Sequence, residues 1–132
     1  MAGKITNFEL FDYYNTGITI EGLNDIFISK FILNAGIPAR GALGGIRLIN
    51  KAEAVVVTDG DILLGQYSMT TDAAVNSLNV RPAYNNFTNV FFDSSDRGVV
   101  LDKMVETDFV GCWFSGGRKT DSGNVSGTDA PG

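Results

Sequence analysis

The side chains able to do acid–base chemistry in this chain are almost all carboxylates. Histidine is absent and cysteine occurs once, at Cys112. Without histidine the usual general base is missing, and with it most serine and cysteine nucleophilic sites. A single cysteine allows neither an intrachain disulfide nor a cysteine-based zinc site. The carboxylates gather in short groups: Asp59 and Asp61, Asp93 and Asp96, then Asp102, Glu106 and Asp108. Two acids separated by roughly 5 to 10 Å are what cleavage of a glycosidic bond requires. Asp93 and Asp96 are the pair singled out here as catalytic, with Arg97 beside them to hold a sugar carboxylate. The same acids equally serve as turn caps and solvated surface charge. Asp59-Gly60-Asp61 echoes part of a calcium loop but lacks its further oxygen ligands. Gly41 to Gly45 lacks the Lys and Ser/Thr of a phosphate loop. No metal and no cofactor is expected.

What must position these residues is a repeat. Phe109-Val110-Gly111-Cys112-Trp113-Phe114-Ser115 aligns without a gap on Phe87-Thr88-Asn89-Val90-Phe91-Phe92-Asp93, an offset of 22 residues, and Ile28 to Asn34 is a weaker copy. Gly17 to Leu33 aligns with Gly98 to Phe114, so that Ile18, Ile20, Leu23, Ile28, Phe31 and Leu33 meet Val99, Leu101, Met104, Phe109, Cys112 and Phe114. Gly45-Ile46-Arg47-Leu48 resembles the openings at Gly17 and Gly98. Self-similarity of this period marks a stacked architecture. The apolar-x-apolar pieces have a period of two, so they are strands. Ile5–Phe11, Ile18–Ile20, Ile26–Ile28, Phe31–Leu33, Ala54–Val57 and Ile62–Leu64 are expected as separate short strands. Met1 to Lys4 reads as an unstructured start, and Gln66 to Pro82 as an irregular stretch.

Three short strands per coil of 22 to 28 residues describe an all-β fold, a right-handed parallel β-helix of about four to five coils. It would occupy residues 1–117, with 118–132 a flexible polar tail. In the clearest repeat Phe109, Cys112 and Phe114 point inward and Val110, Trp113 and Ser115 outward, the parity shifting at Val110-Gly111. Phe91 and Trp113 then share an outer column, one coil apart at ~4.8 Å. Such aromatics stack on sugar rings, or fill an interface between subunits. Phe91, Trp113 and Arg97 are the candidate substrate-binding residues. Cys112 reads as a small core hydrophobe.

Composition narrows the partners. The chain of 132 residues is one domain at most, and its 44% apolar content argues against disorder. Sixteen glycines with only 19% charged residues suit strands and tight corners better than a helical bundle. A net charge of −5 disfavours nucleic acid and anionic membranes. No apolar run approaches ~18 residues, so no membrane insertion is expected, and no signal peptide is read.

The run Asn86-Phe87-Thr88-Asn89-Val90-Phe91-Phe92-Asp93-Ser94-Ser95, with Gly98 to Asp102 and Asp108 to Ser115, resembles the β-helix of bacteriophage tailspikes in the pectate-lyase-like superfamily. The resemblance spans roughly Gly17 to Gly117. It implies a virion-located homotrimer that contacts other virion proteins and attaches to a host through a bacterial surface polysaccharide, capsule or lipopolysaccharide. Many family members cut that polymer, so a polysaccharide depolymerase (glycoside hydrolase or lyase) is implied if the chain is catalytic. The family's helices run for many more coils than this chain supplies. The other reading is a purely structural piece of a virion appendage, acting through trimer contacts.

Overall fold

The computed structural model describes residues 3–36, 43–75 and 77–115. Ten strands make it up: β1 (Gly3–Phe11), β2 (Thr16–Glu21), β3 (Ile26–Asn34), β4 (Gly44–Ile49), β5 (Val56–Leu63), β6 (Tyr67–Asp72), β7 (Asn85–Asp93), β8 (Val99–Leu101), β9 (Thr107–Val110) and β10 (Trp113–Phe114). The described residues contain no helix, hence none long and apolar enough to cross a membrane.

Two parallel sheets share the strands. The first, sheet A, has the order β1-β3-β5-β7, with β9 and β10 both paired to β7. The second, sheet B, has the order β2-β4-β6-β8. Up to β8 the chain therefore alternates, one strand to each sheet in turn. Strand partners lie from 22 residues apart (Asn85 to Thr107) to 30 apart (Val57 to Phe87), a wider spread than the 22 to 28 expected. A third strand per repeat is reduced to single parallel bridges, Asn24 to Glu53 and Glu53 to Ala83.

The register lays like residues in rows. Ile28, Val57, Phe87 and Phe109 form one inner row of sheet A, and Leu33, Ile62, Phe92 and Phe114 another. Most of these side chains are fully buried, each contributing about 1.5–3 kcal/mol of transfer free energy. Phe92 and Phe114 stack with centroids 5.0 Å apart and planes 8° from parallel. Phe114 points inward as expected, yet it is half-exposed, because β10 has no strand beyond it among the described residues.

One backbone device explains why apolar parity shifts within each strand of sheet A. Asn7, Lys30, Asp59, Asn89 and Gly111 all have left-handed backbones, with φ between 53° and 61°. Their neighbours are register partners, so the five form a row across the sheet. A left-handed residue costs an ordinary L-amino acid roughly 1–2 kcal/mol, and Asn, Asp and Gly tolerate it best. At each one the chain kinks and the inward positions shift by one residue, as from Ile28 to Phe31 and from Phe87 to Val90.

This device also corrects the division of the strands. Ile26–Ile28 and Phe31–Leu33 belong to one continuous β3, joined through Lys30. Ala54–Val57 and Ile62–Leu64 are likewise not separate strands flanking a corner, since β5 runs through Asp59. Gly3 and Lys4 are not unstructured but pair with Ile26 and Phe27. Gln66–Pro82 is not wholly irregular, because Tyr67–Asp72 forms β6 between β4 and β8. The tail 118–132 lies outside the described residues.

Candidate functional site

Past the left-handed row, the outward side chains of sheet A fall in two rows. The first is Glu9, Ile32, Asp61, Phe91 and Trp113; the second includes Asn34, Leu63 and Asp93. Phe91 and Trp113 are register partners with ring centroids 6.4 Å apart and planes tilted by 45°. Their exposures, 46% and 60%, leave both rings open to a ligand. A shallow depression of about 330 Å³ lies beside them, lined by Ile32, Asp59, Gly60, Asp61, Asn89 and Phe91 among others. A second depression on the same side shares Phe31, Ile32 and Asp59 with it and extends to Asn7 and Lys30. Together they follow the left-handed row, where the kinked strands leave a longitudinal groove. Asn89 Nδ2 donates to Asp59 Oδ1 at 2.8 Å and fixes its wall.

Asp61 sits between Ile32 and Phe91 in its row. Its Oδ1 is shielded from solvent and has no hydrogen-bond partner. Burial raises the Asp61 carboxyl above the ordinary carboxylate range, and the negative charge of Asp93 raises it further. Asp93 is in a different setting. Its Oδ1 accepts hydrogen bonds from Ser115 Oγ at 2.6 Å and Ser94 Oγ at 2.8 Å, and Ser115 Oγ accepts from the Ser94 amide at 2.9 Å. The face therefore combines two open aromatic rings, a carboxyl whose proton affinity is raised by burial and by Asp93, and a carboxylate held by two hydroxyls. Open aromatic rings beside carboxyl groups are the chemistry that stacking on a sugar ring and hydrogen bonding to its hydroxyls would use.

Of the residues expected from sequence, Asp93, Phe91 and Trp113 are brought onto this one face. Asp96 and Arg97 follow β7 round the corner toward sheet B, where their amides donate to Gly65 O and Gln66 O. The Arg97 guanidinium lies over the Tyr67 ring, 5.7 Å from its centroid. The carboxyl electrostatically coupled to Asp93 is thus Asp61. Sequence reading had grouped Asp61 with Asp59; the signal that links it to Asp93 is the 30-residue spacing between β5 and β7. Cys112 lies half-buried, its thiol donating to Phe87 O at 3.3 Å. Tyr13 faces inward, and burial pushes its hydroxyl up to about 12. Among the described residues no cluster of three His, Cys, Asp or Glu side chains could hold a metal ion.

The chain matches no family model and no curated protein.

Proposed function

We propose that the chain is a stretch of right-handed parallel β-helix from a phage tailspike, and that the outer face of sheet A binds a bacterial surface polysaccharide. The winding is supported by strands that alternate between two wholly parallel sheets and by rows of like residues. Its hand follows from the strong right-handed preference of parallel crossovers. The observation that carries the binding role is the open Phe91–Trp113 pair beside Asp61 and Asp93. Cleavage is the further step this face would permit, since it takes two carboxyls in unlike environments to protonate a leaving group and assist attack. In the virion such a segment works as a homotrimer among other virion proteins.

The test is binding of capsule or lipopolysaccharide fragments by calorimetry, with reducing-end release measured in parallel. Phe91→Ala and Trp113→Ala are each expected to weaken binding roughly tenfold, or about 1.4 kcal/mol. Undiminished binding in both variants overturns the assignment of this face. The structural reading draws on Ile32, which continues the aromatic row with an aliphatic side chain suited to subunit packing. Its signature is a fall in sedimenting mass for Trp113→Ala with no saccharide bound by the parent chain.

A further inference from the structure

The outer face of sheet B carries a cleft that the sheet A site does not use. It has a volume of about 380 Å³, at the small end of the range for ligand pockets, and suits one or two sugar rings. Its shape follows from the register. Thr16, Gly44 and Tyr67 form one row, in which Gly44 lies close against the Tyr67 backbone where a Cβ would be crowded. Thr19, Arg47, Thr70 and Val100 form another, in which Arg47 is the one long side chain among short neighbours. The guanidinium thus rises from the cleft with little on either side to cover it.

The charges around it are unevenly committed. Asp72 is engaged elsewhere: its Oδ1 accepts from the Ala73 amide at 2.7 Å and lies 3.4 Å from Lys103 Nζ. Arg47 attracts Asp72 only from a distance and makes no ion pair of its own among the described residues. Arg97, stacked on Tyr67, places a second cation at the rim. Arg47, Asp72 and Asp102 line the cleft itself, while Arg97 and Lys103 lie beside it, over Tyr67 and against Asp72. The acidic residues elsewhere on the chain are screened beyond ~8–10 Å at ordinary salt.

We propose that this cleft is a second saccharide subsite, one that takes the carboxylate of an acidic sugar on Arg47. The planar fork of donors on a guanidinium matches a carboxylate in bidentate fashion. Thr70 and Asp102 are placed to hydrogen-bond the sugar's hydroxyls. The inference rests on the polysaccharide reading and narrows it to polymers that contain a uronic acid.

The experiment titrates the full chain with a glucuronate-containing tetrasaccharide and with the same tetrasaccharide after reduction of its carboxyl to an alcohol. The acidic form is expected to bind at least about tenfold more tightly, with the preference shrinking as salt rises. Arg47→Gln is expected to abolish the preference, and Arg47→Lys to retain only part of it. Arg47 is exposed, so its variants should keep the parent circular dichroism. Trp113→Ala, on the other sheet, should leave the preference for the acidic form in place. Equal binding of the two tetrasaccharides, or a preference that survives Arg47→Gln, overturns the acidic-sugar subsite alone. Failure to bind either one overturns it together with the polysaccharide reading.

Discussion

The Asp61 carboxyl holds its proton more tightly than a free carboxyl because it is desolvated beside Phe91 and faces the negative charge of Asp93 on the next strand. The relationship ties the candidate site to stability. An acid whose folded affinity for protons exceeds its unfolded one makes the folded state bind more protons, so stability falls as pH rises from about 3.8 through the folded value. Asp61→Asn removes this penalty. We expect it to raise stability at pH 7 by about 0.5–1 kcal/mol, the net worth of one surface hydrogen bond, and to add nothing at pH 3. Urea unfolding at both pH values measures the difference; an equal gain at pH 3 would show that charge is not the cause.

Asp72 gives the opposite sign. The Ala73 amide holds its carboxyl below the ordinary value against the opposing effect of burial, with smaller contributions from Lys103 and Arg47. Its stabilisation is therefore present above pH 3.8 and lost as pH falls through the folded value. Both groups are partly exposed, so Lys103→Met is expected to cost no more than about 0.5 kcal/mol at pH 7, and less in 1 M salt. A larger cost that persists in high salt would instead point to the bond from Lys103 Nζ to Ala73 O.

The left-handed row makes a prediction free of side-chain packing. Lys30 is exposed and sits at φ 55°, where the same row has Asn at positions 7 and 89. Lys30→Asn is expected to stabilise by about 0.5–1 kcal/mol, because Asn tolerates this backbone better than Lys. Gly111→Ala is expected to cost about 1 kcal/mol for the converse reason, although an added Cβ there meets nothing within 4 Å. Thermal melts of both variants check the pair.

Much of this architecture was legible as repetition. The gap-free alignment of Phe87 on Phe109 and of Phe91 on Trp113 reproduces the strand register, and the longer alignment of Gly17–Leu33 with Gly98–Phe114 reproduces the inner rows. What was hidden has physical causes. β6 was concealed because its buried positions are polar: Ser68 donates to Ser95 Oγ, and Thr71 donates to Asp102 O, so hydroxyls occupy places that repetition reserves for apolar groups. The continuity of β3 and β5 was hidden because Ser29-Lys30 and Thr58-Asp59 interrupt the apolar pattern yet only kink a strand. The link from Asp61 to Asp93 escaped because the spacing there is 30 residues, set by the excursion between β6 and β7. Asp96 and Arg97 follow Asp93 closely in sequence, but their backbone turns the corner toward Gly65 and Gln66.

Asn85 is a buried polar residue whose removal should be costly. Its Oδ1 accepts from the Val55 amide at 2.9 Å, and its Nδ2 donates to Ala52 O at 3.0 Å, so one side chain pairs two backbone groups of the preceding repeat. Asn85→Leu orphans the Val55 amide inside the fold, while Ala52 O keeps the Ala83 amide as its remaining donor. The expected loss is about 1–3 kcal/mol, the cost of one buried unsatisfied group. Asn85→Asp keeps the acceptor and loses the donor, so it should fall at or beyond the upper part of that range at neutral pH, and recover as the carboxyl protonates.

The last prediction isolates one close approach in the core. Gly60 lies between Phe31 and Val90 in its row, and a Cβ built on it would run into the Phe31 ring. Phe31 itself is buried and stacked on Phe8, with centroids 5.7 Å apart, so it cannot swing aside without losing that contact. Gly60→Ala is therefore expected to cost about 1–3 kcal/mol as overpacking. Phe31→Leu alone should also destabilise, by opening space beside Gly60. The double variant places the new methyl in that space, so its cost should be smaller than the sum of the two by at least about 1 kcal/mol. Strict additivity in a urea-denaturation cycle would mean that Gly60 is required for its backbone and not for the ring that lies against it.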